Sequence, residues 1–156
     1  AFDRDATSIV YDLWHGYRKL ARDKTAAAFP FGFGLSYTTW KHDRLQIERD
    51  RLEISDTLRA TVEITNTGRV AGDEVVQLYI AAPGSRVERA ARELKAFKRV
   101  TVPAGETRRV DFAIPVADLA YYDIARGWTV EPLTYEAIVA RHAEDENGPR
   151  ARFTVA

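Results

Sequence analysis

From residue 57 to 65 the chain alternates without a break, with Leu58, Ala60, Val62 and Ile64 on one side and Arg59, Thr61 and Glu63 on the other. A period of two is the signature of a β-strand with one buried and one wet face. The same alternation returns at 107–114, where Val110, Phe112 and Ile114 point inward, and at 135–141 with Tyr135, Ala137 and Val139. Residues 73–81 differ, because Val75, Val76, Leu78, Tyr79 and Ile80 leave neither face polar, which predicts a central strand covered on both sides. Further short runs at 41–48 (Leu45 and Ile47 on one face), 94–102, 119–124, 128–131 and 152–155 complete the series of short strand-like segments. Asn66-Thr67-Gly68, Pro83-Gly84, Pro103-Ala104-Gly105, Arg126-Gly127 and Asp145-Glu146-Asn147-Gly148-Pro149 separate them. Asn and Gly tolerate positive φ, and Pro fixes turn geometry. No long helical pattern follows residue 40, so residues 41–156 read as an antiparallel β-sandwich and residues 1–40 as an irregular arm.

The arm holds two features. Ile9, Leu13, Tyr17 and Leu20 recur at helical spacing, predicting a helix that Gly16 interrupts. The stretch Phe29-Pro30-Phe31-Gly32-Phe33-Gly34-Leu35-Ser36-Tyr37-Thr38-Thr39-Trp40 packs five aromatic rings, two glycines and a proline into twelve positions. That is too apolar for an exposed loop and too rich in chain-breakers for a helix, so it predicts an irregular strap with its rings pressed onto a protein surface.

With 156 residues and 46% hydrophobic side chains, the chain can bury a real core as one domain with a leading arm. Its 23 basic and 23 acidic residues cancel, which favours neither nucleic acid nor an anionic membrane as partner. The positive run Arg86, Arg89, Arg92, Lys95, Lys98 and Arg99 is interleaved with Glu88 and Glu93 and reads as a polar strand face. There is no cysteine, so neither a disulfide framework nor a thiolate site exists. No apolar run approaches the roughly 20 residues of a membrane span, and Ala1-Phe2-Asp3-Arg4-Asp5 is not the apolar stretch of a signal peptide, so a soluble chain is expected.

His15, His42 and His142 lack zinc-site spacing, and the Glu144-Asp145-Glu146-Asn147 cluster lacks an EF-hand pattern and reads as a solvated loop; no metal is expected. Ser8, Ser36, Ser55 and Ser85 have no nucleophile-elbow context, and Gly32-x-Gly34 lacks the spacing of a nucleotide loop. Trp14 and Trp128 are the candidates for stacking on a sugar ring, against the plainer role of core or interface mass.

The strap FPFGFGLSYTTW resembles the FPFGxGLSYTxF signature that leads into the C-terminal fibronectin type III-like domain of family 3 glycoside hydrolases. The resemblance continues in Gly16-Tyr17-Arg18, although Asp12-Leu13-Trp14-His15 stands where many members carry a Glu-Gly pair. It extends through Asn66-Thr67-Gly68, 72–79, 92–100, 104–107 and Tyr122-Asp123; Ala96 and Leu133 replace frequent glycines. It implies an immunoglobulin/fibronectin type III-like topology, which periodicity alone does not determine. It also implies a retaining β-glucosidase-like or β-xylosidase-like parent that uses no organic cofactor and whose catalytic aspartate and acid/base lie in preceding domains, leaving no catalytic residue here. The partners expected are those catalytic domains, met through Tyr17, Arg18, Phe29, Phe31, Phe33, Leu35 and Tyr37, in a periplasmic or secreted enzyme. Produced alone, such a chain is expected to show an exposed apolar patch, self-association or a disordered arm. The rival reading is a carbohydrate-binding module that holds polysaccharide near a catalytic partner; a third is one piece of a processed enzyme that reassembles.

Overall fold

The alternating segments pair as two stacked sheets in the computed structural model, which describes residues 5–156. A short helix, α1 (Tyr17–Arg22), precedes β1 (Trp40–Ile47), β2 (Arg51–Leu52), β3 (Thr57–Asn66), β4 (Gly72–Ala81), β5 (Glu93–Val102) and β6 (Thr107–Pro115). A 3-10 turn (Val116–Leu119) then leads to β7 (Tyr121–Asp123), β8 (Gly127–Thr129), β9 (Thr134–Ala140) and β10 (Arg150–Val155). One sheet has the order β1-β3-β6, the other β2-β10-β9-β4-β5, and β7 and β8 form a separate hairpin. The fold is thus an all-β sandwich.

Register follows from burial. Leu58 pairs with Ile114, Ala60 with Phe112 and Val62 with Val110, so the apolar sets of β3 and β6 face the same way. They meet Val76, Leu78, Tyr135, Ala137, Val139, Phe153 and Val155 from the second sheet in one buried core. Tyr135 stacks on Phe153 with centroids 5.5 Å apart, and its hydroxyl donates 3.0 Å back to the Glu131 carbonyl. A buried tyrosine bonded to backbone just upstream is the tyrosine corner of immunoglobulin-like sandwiches.

As its sequence predicts, β4 is covered on both faces. Its outward side chains Tyr79 and Ala81 join Ile138 and Ala140 in a second apolar cluster, with Leu94 and Ala143 against it. This cluster sits on the outer face of the five-stranded sheet, where the arm lies.

Several local expectations change. The helix implied by Ile9, Leu13, Tyr17 and Leu20 does not extend through the arm: Gly16, at φ 57°, turns the chain, and helix begins only at Tyr17. Ile9 and Leu13 have no apolar face to pack on within the described residues, so a helix there would gain nothing from burial. Leu119, expected in a strand, closes the 3-10 turn, whose i, i+3 spacing drops both Val116 and Leu119 into the core. The 66–68 turn needs no left-handed backbone at Asn66. Instead the fully buried Asn66 amide donates to the carbonyls of Val70 at 2.8 Å and Val102 at 2.9 Å, and its oxygen accepts from Thr38 and from the Gly68 amide. The two-residue β2, which runs parallel to β10, had no sequence signal.

Candidate docking surface

The strap is fastened to the sheet at both ends. Near its start, the Gln77 amide nitrogen on β4 donates to the carbonyls of Gly32 (2.9 Å) and Arg141 (2.8 Å), while its oxygen accepts from the Tyr79 hydroxyl at 2.7 Å. All the hydrogen-bonding capacity of that amide but one lone pair is used. Gly32 has φ +82°, and a Cβ there would stand 2.1 Å from Gln77 Oε1, so any side chain at this position would be strained and would displace the Gln77 amide. The Ala143 amide donates to the Phe31 carbonyl at 2.8 Å, and Tyr17 of α1 stacks on the Phe31 ring at 4.4 Å. At the far end, buried Thr38 bonds to Asn66, and the Thr67 amide donates to the Thr39 carbonyl at 2.8 Å.

Between these anchors the strap faces outward. Phe31 and Phe33 are half covered, Phe29 is 71% exposed, Leu35 91% and Tyr37 fully exposed. Ile9, Val10, Tyr11 and Leu13 of the arm are exposed as well. The expectation that the strap's rings are pressed onto a surface therefore holds on one side only: the sheet supplies the area to cover Phe31 and Phe33 in part, and none for Leu35 or Tyr37. Tyr17 and Arg18 are half buried, Tyr17 against Phe31.

Buried tyrosine chemistry records the cover. Desolvation beneath the arm, helped by nearby Tyr17 and opposed by Arg92, pushes the Tyr79 hydroxyl up to about 12.

The aromatic side chains singled out for sugar stacking lie elsewhere. Trp14 is half buried, with the Arg22 guanidinium 4.9 Å over its ring. Trp128 projects from the β7–β8 hairpin, 76% exposed, with Tyr122 edge-on at 78° rather than coplanar. His42 Nε2 lies 2.9 Å from Glu74 Oε1, and His142 packs against Phe33. Among the described residues no group of three or more His, Asp or Glu side chains is placed to hold a metal ion. The positive run is largely paired internally: Arg86 with Glu131, Arg89 and Lys95 with Glu93, Arg92 with Glu146 and Arg99 with Asp73. Asp73 is held below the ordinary carboxylate range by the Thr101 hydroxyl and Arg99, the opposite of what a general acid requires.

Two acidic residues carry more structure than their sequence context suggests. Asp145, expected in a solvated tip, is 5% exposed; it accepts from the Arg141 amide and guanidinium at 3.1 Å and from the Asn147 amide. Burial raises its carboxyl, but these bonds outweigh burial and bring it down to about 2. Glu131, buried at the sandwich end, receives the Ser85 hydroxyl and the Arg86 amide, and here too the donors overcome desolvation and lower the carboxyl.

The three-on-five sandwich with its tyrosine corner defines a fibronectin type III-like domain, and residues 74–143 match the family described as "Fibronectin type III-like domain". A probable beta-glucosidase I of Neosartorya fischeri is 40% identical over 134 residues, covering 82% of this chain. A beta-xylosidase of Formosa agariphila is 38% identical over 133 residues, covering 85%. The solved GH3 beta-glucosidase of Bifidobacterium adolescentis superposes with a TM-score of 0.80 at 32% identity, over 90% of this chain and 20% of that one. The chain belongs to the fibronectin type III-like domains of family 3 glycoside hydrolases. It spans 16% and 18% of the length of the two curated relatives.

Proposed function

We propose that this chain is the C-terminal, non-catalytic fibronectin type III-like domain of a family 3 hydrolase acting on β-linked glycosides, and that it docks on the catalytic domains through its arm and strap. The observation that carries this reading is the outward pair Leu35 and Tyr37, flanked by the anchors of Gly32 on Gln77 and Thr38 on Asn66, with Phe29 exposed just before them. An apolar row that is exposed yet rigidly presented is already organised for a partner, so little ordering entropy opposes its burial. The relatives' much greater length supports the reading that such a partner belongs to the same polypeptide. The test is to mix the purified chain with the remainder of its parent hydrolase, prepared separately, and follow complex formation by size exclusion. Co-elution that the Leu35→Asp and Tyr37→Ala changes abolish supports docking. Separate elution of the unsubstituted pieces at tens of micromolar counts against it.

A further inference from the structure

The strands at the margins of the two sheets are β1 and β6 in one and β2 and β5 in the other. β5 offers the longest regular edge. Its ladder with β4 runs without a break from Val102–Gly72 to Ala96–Leu78, and no strand lies on its other side. Among the described residues, the one backbone group of 96–102 that meets a partner outside β4 is the Val102 carbonyl, which accepts from Asn66. An extended edge of this kind is a template for pairing with a further strand.

The other three margins each carry an obstacle to such pairing. β1 breaks its register between Asp43 and Gln46, with Arg44 at φ 52°. β2 is two residues long. β6 places Arg108 opposite the buried Ile64, at an inward position, and ends at Pro115. On β5 the obstacle is one side chain. Lys98 stands across the ladder from the fully buried Val76, in line with Ala96 and Val100, which pack on the core. The strand's period calls for an apolar residue there, yet Lys98 is exposed, its ammonium 5.9 Å from the centre of the Phe112 ring of β6. Its stem thus covers the open side of the sandwich while its charge stays in water. A second strand laid on β5 would desolvate that ammonium, a cost that offsets the ladder hydrogen bonds gained.

We infer that the β5 edge is a latent self-association surface, complementary to the same edge of a second copy, and that Lys98 keeps it closed. Antiparallel β5–β5 pairing obeys two-fold symmetry, so the contact is complete in a dimer and brings the two Lys98 side chains together. The inference does not depend on docking through the strap. Its test is made in chains that also carry Leu35→Asp and Tyr37→Ala, so that the strap's exposed pair takes no part. Sedimentation is expected to show monomers with Lys98 and with Lys98→Arg, and self-association at least about tenfold tighter with Lys98→Val. Amide hydrogen exchange is expected to slow at 96–102 as that variant associates. Lys98→Thr, uncharged and suited to a strand, serves the same comparison should Lys98→Val not fold. A folded uncharged variant that stays monomeric at tens of micromolar, association that leaves exchange at 96–102 unchanged, or equal association by the Lys98 or Lys98→Arg chains would each overturn the role of Lys98.

Discussion

At the level of single residues, buried carboxylates bind the loops to the sandwich, and Asp145 shows how that binding depends on pH. Its folded carboxyl lies near 2, below its unfolded value, so its contribution is complete above the ordinary aspartate range and is lost as pH falls towards 2. That contribution is about 2 kcal/mol. Asp145→Asn is expected to destabilise the chain at neutral pH and to flatten the decline in melting temperature between pH 4 and 2, measured by thermal denaturation. Glu131→Ala would strand the Ser85 hydroxyl and the Arg86 amide, and a loss of about 2 to 3 kcal/mol is expected in urea unfolding. Neither role was legible from residue type, because an acidic cluster at a strand tip has the composition of a solvated loop. The local signal lay in spacing: Asp145-x-Asn147 is the pattern of an Asx turn, and Arg141 stands four residues before Asp145. Asn66 was read as a turn residue, whereas its work is done by a side chain whose partners at 38 and 102 are distant in sequence.

Among elements, legibility follows the source of the hydrogen bonds and of the burial. β3, β4, β6 and β9 announce themselves because each presents at least one apolar face whose period is set locally. β2 exists only because β10 arrives beside it, and a two-residue parallel pairing leaves no pattern of its own. The arm misleads for the converse reason: its apolar spacing is helical, but without a surface to bury that face the helix does not propagate past Gly16. The strap was legible as irregular and aromatic, while its attachment through Gln77 was not, since nothing local marks a polar residue in a doubly covered strand as an anchor. Gly32→Ala tests that attachment, because its Cβ would collide with Gln77 Oε1 at a positive φ. The strap is expected to lift, becoming sensitive to thermolysin between residues 29 and 37. Tyr79 is then expected to ionise nearer its ordinary value of 10 than about 12, as read by absorbance at 295 nm. In the unsubstituted chain the same raised value means that stability falls as pH climbs from about 10 to 12.

For the whole molecule, the sandwich and its outer layer have different thermodynamic roles. The core between the sheets is closed by side chains of this chain alone, whereas the arm and strap leave Val10, Leu35 and Tyr37 almost wholly in water. Substitutions at the exposed positions should therefore separate folding from association. Leu35→Asp combined with Tyr37→Ala removes no internal contact of weight, so unfolding of the isolated chain is expected to shift by no more than about 0.5 kcal/mol. If the same row is buried against catalytic domains, each large apolar side chain contributes about 2 kcal/mol to the joined enzyme. The paired substitution is then expected to lower the melting temperature of the full-length parent and to make its domains unfold in separate calorimetric transitions. Its hydrolytic rate at low temperature should stay close to that of the unsubstituted enzyme, because the proposed reacting carboxylates lie outside this domain. Equal losses in the isolated chain and in the parent would show instead that Leu35 and Tyr37 serve the sandwich itself, and an unchanged parent would remove the strap from the interface.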